Sequence, residues 1–422
     1  MLGLSGRGLP IALAVLTWQL FLPLVELDAQ EREPVTRDEE NNTAASSPSA
    51  GPNLINENLL TGLPLNGRSY TQLVTLDAGV SDSSSASSSR GVGGGSLTFS
   101  GSRSSSNSFL LDGTNIMDAQ NRPPRSAAGV QLGSDSVLQV QIFSANYGPE
   151  YGRNNGGVMN SISRSGSDEF HGTFFEYFRN SKLDARNFFD RGPNPPPFKR
   201  NQFGFTLTGP VRKGKTYFMG SFEGLRDRLN DTKIDNFVDA EARQGIITDA
   251  SGRPIRTDAS GQPILIDVHP QVKRYLDPSV IPLPNSTRLG GGFAQNSSPQ
   301  FLPTNENFFT VRLDHQLSER DSLFGRYTFD NATSRQAGDT FAFARGLQTR
   351  QQYLTLVGSH IFSPSVLASS RLGYTRPVDA QESVSSIEIP RSLFFVPDVP
   401  QFGQINIPGA GTFGPVSFLP AG

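Results

Sequence analysis

From Phe170 onward the chain repeats one pattern, a segment in which apolar and polar residues alternate, then a connection, then another such segment. Seven segments qualify: Phe170–Asn180, Gln202–Gly209, Lys215–Glu223, Phe308–Leu317, Ser322–Asp330, Gln351–Phe362 and Val366–Thr375. In the fourth, Phe309, Val311, Leu313 and Leu317 fall on one face, and Thr310, Arg312, Asp314 and Gln316 on the other. In the fifth, Leu323, Tyr327 and Phe329 oppose Ser322, Arg326, Thr328 and Asp330. Period two means a strand with one apolar and one wet face. The connections alternate too. PVRKG, SERD and SPS are tight, whereas those between them are long, the largest running over residues 225–304. A soluble sandwich has no reason to keep that rhythm. A transmembrane barrel does, with short turns on one side and long loops on the other. Most segments have about the 9–11 residues that a tilted strand needs to cross a bilayer.

The N-terminus is consistent with that setting. Arg7 precedes an apolar run, Leu9–Val25, and LDA ends at Ala29. This reads as a secretory signal peptide, residues 1–29, cleaved after Ala29. Glu26 and Asp28 close behind the run argue against a stable span. No later stretch approaches the roughly 20 apolar residues of a membrane helix, so any further crossing must be made by strands. The charge is close to balanced, 37 basic against 39 acidic residues, which excludes the basic excess of a nucleic-acid binder. There is no cysteine, hence no disulfide framework and no thiolate metal site. Gly (43), Pro (30) and Phe (30) suit strands joined by large loops.

Residues 30–56 are polar and read as a flexible linker. Residues 57–166 read as a small α+β domain with short strands at LTFSG (Leu97–Gly101), NSFLLDG (Asn107–Gly113), VLQVQIFSA (Val137–Ala145) and GGVMNSISRSG (Gly156–Gly166). A short helix carrying Tyr70, Leu73, Val74 and Leu76 precedes them, followed by the Ser/Gly run SDSSSASSSRGVGGGS. No repeat of fixed period is visible.

The ordered motifs LPLNGR (Leu63–Arg68), FSGSRSSSNSFLLDGTN (Phe99–Asn115), ANYGPEYGRNNGGVMNSISRSGSDEFHGTFFEYFRN (Ala145–Asn180), LDARNFFD (Leu183–Asp190) and RNQFGFTLTGPVRKGKTYFMGSFEGLR (Arg200–Arg226) resemble TonB-dependent outer-membrane receptors of the Oar-like type. The resemblance implies an α+β plug domain inside a transmembrane antiparallel β-barrel of about 22 strands, of which residues 167–422 hold about seven. It also implies the plug signature Leu63, Pro64, Leu65, Asn66, Gly67 and Arg68 with the Asp112–Gly113 turn, residence in the outer membrane of a Gram-negative cell after Sec-type export, outer-membrane lipid around the barrel, and a TonB-type partner. The nearest candidate for TonB contact is the extended segment Glu33, Pro34, Val35, Thr36 and Arg37, suited to adding a strand to a sheet edge. Residues 30–56 are too few for the β-sandwich domain that many Oar-like receptors carry before the plug. Seven strands cannot close such a barrel, so we expect a fragment of a longer protein, with a truncated gene product as the alternative.

Catalytic chemistry finds no support. His171, His269, His315 and His360 lack ligand spacing. His171, in DEFHG, suits a hydrogen-bonded structural role at the join. GVGGGS (Gly91–Ser96) lacks the Lys-Ser/Thr of a phosphate loop, and DGTNIMD (Asp112–Asp118) lacks the spacing and the terminal Glu of a calcium loop. We expect a non-enzyme with no cofactor and no metal. Arg68, Arg103, Arg153 and Arg164 are expected to pair with inward carboxylates of the barrel. The long loop is a lid candidate, with a small hairpin around PIRTDASGQPILIDVHP. Two functions remain open: energised import of a large, unidentified extracellular ligand (a glycan, a peptide or a metal chelate), or a surface binding or structural barrel without transport.

Overall fold

The computed structural model describes residues 52–62, 68–82, 97–118, 124, 126–129, 132–144, 147–152, 154–183, 185, 195, 197–338, 342–396, 398–399, 402–409 and 411–415. The expected signal peptide, Ala29, the segment Glu33–Arg37 and the signature residues Leu63–Gly67 lie outside them, as does Arg153.

The N-terminal unit comprises β1 (Asn53–Ile55), α1 (Glu57–Gly62), a 3₁₀ turn (Tyr70–Leu76), β2 (Val80–Asp82), β3 (Leu97–Phe99), β4 (Ser108–Leu111), β5 (Thr114–Asn115), β6 (Val137–Phe143) and β7 (Val158–Ser163). Its main sheet has the order β1-β6-β7-β4-β5, with β4 and β7 parallel and the other pairs antiparallel. A small apolar core fills it, including Tyr70, Leu73, Val74, Phe99, Phe109, Val140 and Ile142. The buried Asn107 holds the entry to β4: its amide donates to the Leu97 carbonyl, and its Oδ1 accepts from the Gly157 N–H and the Ser102 hydroxyl. Two details differ from the sequence reading. Residues 53–55, expected as linker, pair with β6 and bury Ile55, because three residues with one buried side chain suffice for an edge strand when a partner waits. The apolar rhythm at 70–76 forms a 3₁₀ turn, whose tighter period leaves Leu76 63% exposed.

The second unit is one long antiparallel meander: β8 (His171–Asn180), β9 (Phe198–Arg212), β10 (Thr216–Val238), then, after the short β11 (Arg288–Gly290), β12 (Phe293–Gln316), β13 (Asp321–Ala337), β14 (Phe343–Ser363) and β15 (Val366–Ser385). Neighbours in sequence are neighbours in space, from β8 at one edge to β15 at the other. All seven expected segments lie in this ladder. The tight connections at 212–216, 316–321 and 363–366 share one end, and the long ones share the other. Among the described residues no helix is long and apolar enough to cross a membrane.

The two faces of the sheet differ as the alternation requires. Outward rungs, followed across the register away from the tight turns, read Phe218/Leu313/Leu356, then Leu207/Val311/Tyr327/Leu354, then Phe205/Phe222/Phe309/Phe329. Phe309 and Phe329 stack with centroids 5.3 Å apart. Beyond this rung β12–β14 turn polar on the outward face with Asn307, Asn331 and Arg350, while β9 and β8 continue the aromatic face with Phe203 and Phe178. The inward face carries Thr206, Ser221, Glu223, Glu306, Thr310, Arg326, Thr328, Asp330, Gln351 and Thr355, all buried against the N-terminal unit.

The largest connection is shorter than expected. The β10–β12 ladder continues unbroken to Val238↔Phe293, so residues 225–238 and 293–304 are strand. Past the aromatic rung both faces of this ribbon are polar, and the alternation that marks a strand fades while the hydrogen-bond ladder does not. The remaining loop contains two consecutive copies of one turn, Thr248–Pro254 and Thr257–Pro263, each closed by an isolated bridge. This TDASG-x-P repeat replaces the expected hairpin and corrects the reading that no repeat is present. In each copy an Asp (Asp249, Asp258) accepts from the Ser hydroxyl and N–H two residues on, which holds its carboxyl below the usual range. Arg243 ties the loop base together, donating to the carbonyls of Val238, Leu276, Ile281 and Pro282. An apolar cluster then joins it to the C-terminal segment through Val280, Ile281, Phe343, Leu393, Phe402 and Phe413.

Candidate functional site

The seam between the N-terminal unit and the inward face is the site with the most organised chemistry. It begins at the β4–β5 hairpin. Leu111 pairs with Thr114 across the two-residue loop Asp112–Gly113, with φ of 49° and 72°. Two positive φ values make a type I′ turn, for which Asp-Gly is a favoured pair. A Cβ on Gly113 would meet only the movable Arg371 guanidinium, so the positive φ is what calls for glycine here. The turn aims the Asp112 carboxylate at the sheet. Oδ1 accepts from the Ser163 N–H (2.8 Å), and Oδ2 from the Ser163 hydroxyl (2.7 Å) and Arg326 Nε (2.6 Å). Arg326 is fully buried, 0% exposed, and all its groups are used: Nη1 donates to Thr328, and Nη2 to the Leu111 carbonyl and Thr355. Arg312 lies beside it, 3.7 Å from Asp112 and donating to the Ser163 carbonyl and hydroxyl. Thr355 donates to Thr114 and Tyr353 to the Ile116 carbonyl, and the Tyr353 ring completes the apolar core of the N-terminal unit.

Farther from the tight turns the wall is acidic. Glu223 accepts from the Gly133 N–H (2.9 Å) and from Gln202 (2.7 Å), and Arg68 Nε approaches it at 3.4 Å. Gly133 sits at φ 90°, and a Cβ there would press into Phe308 at 2.4 Å. Phe308 and Leu225 from the wall meet Ala128 and Leu132 in a small apolar patch. Next to this patch Glu306 and Asp330 neighbour each other, with Ser126 close by. Both are buried, and none of their four oxygens accepts a hydrogen bond of ordinary geometry.

A family model described as "Outer membrane beta barrel domain" matches residues 162–422. The chain belongs to this outer-membrane β-barrel family. It is therefore an outer-membrane protein, and the meander is barrel wall. Among the described residues the barrel does not close, and β8 and β15 are its edges. The resemblance to TonB-dependent receptors of the Oar type holds: the TonB-dependent transporter Oar of Myxococcus xanthus is 31% identical over 159 residues, 36% of this chain and 15% of that protein. Solved structures overlap loosely. The outer membrane transporter YddB of Escherichia coli gives 13% identity and a TM-score of 0.49 over 80% of this chain and 40% of that one. The alcaligin outer-membrane receptor FauA of Bordetella pertussis gives 12% and 0.42 over 81% and 49%. The chain thus spans less than half the length of each relative.

The expected site residues divide. Asp112 and Gly113 lie at the centre of the barrel seam. Arg68 reaches the wall as expected, pairing with Glu223 and lying 3.8 Å over the Phe175 ring, and it also pairs with Asp135 of its own unit. Arg164 instead pairs with Glu57 at 2.7 Å, within the N-terminal unit, because the chain turns outward there toward β8. Arg103 is exposed on the 3₁₀ turn before β4, away from the wall. His171 is 64% exposed and 4.0 Å from Glu169, which corrects the hydrogen-bonded role expected for it. The other histidines have separate partners, Thr216 for His315, Asp321 for His360 and the Gln271 N–H for His269. The wall arginines Arg312 and Arg326 were placed on the wet face by sequence, but their partner was missed. The available signal was two arginines at matching positions of consecutive strands, opposite a unit with a conspicuous Asp-Gly turn.

Proposed function

We propose that the N-terminal unit is a plug and that the protein imports a large ligand through the barrel, energised by a TonB-type partner from the inner membrane. The observation that carries the reading is the character of the seam. The unit is seated mainly by ion pairs and hydroxyls around Asp112, Arg326 and Thr355, with a small apolar patch at Phe308 and the ring of Tyr353 as the apolar contacts. A polar seat can be remade with water when the unit shifts, whereas a fused core cannot. The outer membrane offers no nucleotide pool, so the work of shifting must arrive by mechanical contact. The exposed arm Glu33–Arg37, with its Val-Thr pair, is our candidate contact.

Two measurements test this. In planar bilayers the intact protein should be nearly silent, and deletion of residues 57–166 should open large, steady conductance. A silent deletion variant that still folds would remove the plug reading. Deletion of residues 31–38 should abolish crosslinking to TonB while leaving thermal stability unchanged. Undiminished crosslinking would move the contact elsewhere.

A further inference from the structure

A second site, apart from the seam, lies on the loop side of the wall. Two outward rungs meet there: Asn180/Lys199/Arg228/Pro303 across β8, β9, β10 and β12, then Asn230/Phe301 across β10 and β12. A cleft of about 860 Å³ opens on them, lined by Lys182, Pro197, Lys199, Arg228, Asn230 and Phe301. Backbone donors brace its rim. The Asn230 N–H donates to the Pro197 carbonyl, the Phe198 N–H to the Ser181 hydroxyl, and the Lys182 N–H to the Asn180 side chain. Lys182, Lys199 and Arg228 make no ion pair with a described carboxylate. Arg228 donates to the carbonyls of Asp227 and Thr304 and to the side chain of Asn305, all neutral, and Asp227 itself turns inward to Arg200. The cleft thus combines uncancelled cations with one aromatic ring, Phe301, which is 53% exposed.

Lipid does not account for these groups. An outward rung spans two residues, about 7 Å of strand, or about 5 Å of height at a tilt of about 45°. Lys199 stands three rungs beyond the row of Phe205 and Phe309, and Phe301 four, hence about 15 and 20 Å above it. Even from Phe178 on β8, Phe301 is two rungs and about 10 Å farther out. The headgroup layer of a bilayer is only about 5–8 Å deep on each side. A ring exposed to water beside uncancelled cations, in a cleft of ligand size, points to a ligand from the medium. At Lys199 and Arg228, β9 and β10 are paired on both sides, so the floor of the cleft offers no strand edge to an extended peptide. Recognition must then come from side chains. Ammonium and guanidinium groups suit carboxylates, the Asn230 amide suits hydroxyls, and the face of Phe301 suits the C–H side of a sugar ring. We propose that this cleft binds an acidic oligosaccharide of the uronic-acid class, with Lys182, Lys199 and Arg228 on its carboxylates and Phe301 under a sugar ring. This binding is separate from import and makes no use of the lumen.

The test uses the purified protein in phosphatidylcholine nanodiscs, which present no anionic lipid. In calorimetric titration, oligogalacturonic acid should bind about tenfold more tightly than its neutral methyl ester, and the difference should shrink as salt rises. K182Q/K199Q, whose ammonium groups hold no part of the wall, should weaken the acid about 5- to 10-fold and leave the ester unchanged. F301A should weaken acid and ester alike, about fivefold. No binding of the acid, or equal affinity for acid and ester, would overturn the proposal. So would full binding of the acid by both variants with strand content unchanged by circular dichroism. Polyglutamate bound as tightly as the sugar acid would overturn the sugar in favour of an acidic peptide.

Discussion

The basic and acidic layers of the inward wall are equally buried and face the same N-terminal unit, yet they meet it differently. Near the tight turns, Arg326 and Arg312 converge on Asp112, and the Leu111 carbonyl, the Asp112 carboxylate and the Thr114 hydroxyl each have a partner across the seam. Toward the loops, Glu223 is satisfied by Gly133 and Gln202, but Glu306 and Asp330 are buried beside each other with no hydrogen bond of ordinary geometry, Ser126 lying close by. A buried ion pair with complete hydrogen bonding roughly offsets its desolvation, whereas an unpartnered buried carboxylate is a net cost. The seam is therefore more completely hydrogen-bonded toward the tight turns than toward the loops.

The sharpest way to break this comparison is to remove the shared carboxylate. D112A strips Arg326 of its carboxylate, leaves Arg312 with Asp314, and orphans the Ser163 N–H. Truncating one side of a buried pair costs about 3–5 kcal/mol. The chemical-denaturation midpoint should fall accordingly, and hydrogen exchange should rise first in β4 and β5. A loss below about 1 kcal/mol would mean that Arg326 finds water or other acceptors, and the contact would not hold the seam.

The origin of that contact shows where the sequence is readable. Strand existence was legible throughout the barrel because the lipid face enforces period two, as with Phe309, Val311 and Leu313. Strand ends were not. Beyond the aromatic rung no solvent contrast separates the faces, so Asn230–Val238 looks like loop while pairing as strand. β1 was hidden because Ile55 is its only buried residue, and no periodicity can be read from three positions. The inward side chains had the right face but an unknown partner. A polar residue facing a solvated channel and one facing a plug are written alike, so the choice of Asp112 by Arg326 is tertiary information. Arg68 and Arg164 were assigned to the wall on the same ground, their charge, yet only Arg68 meets a wall carboxylate, while Arg164 goes to Glu57 of its own unit.

The acidic layer predicts the opposite sign. E306Q removes a carboxylate that makes no hydrogen bond of ordinary geometry and lies against Asp330, at nearly constant volume. We expect stabilisation of about 1–2 kcal/mol, measured as a higher denaturation midpoint, because the unpaired charge or its neutralisation is no longer required. D330N should act similarly, and the double variant should gain less than the sum, since either change relieves the same pair. Destabilisation by E306Q would show that Glu306 makes a productive contact, and the two layers would then be alike.

The smallest effect separates the seam from the wall itself. Thr355 donates to Thr114 across the seam and accepts from Arg326, whereas Thr310 shares its hydroxyl contact with Thr328 inside the wall. Valine replaces either threonine without a change of shape, so each substitution deletes a hydroxyl and little else. T355V should cost about 1 kcal/mol and raise hydrogen exchange in β4 and β5, because the seam loses its link to Thr114 while Arg326 keeps Asp112. T310V should cost a similar amount but leave exchange in the N-terminal unit unchanged, since its partner belongs to the neighbouring strand. If the two variants loosened the unit equally, the seam would not be a separable contact, and the unit would be part of the wall's own cooperative fold.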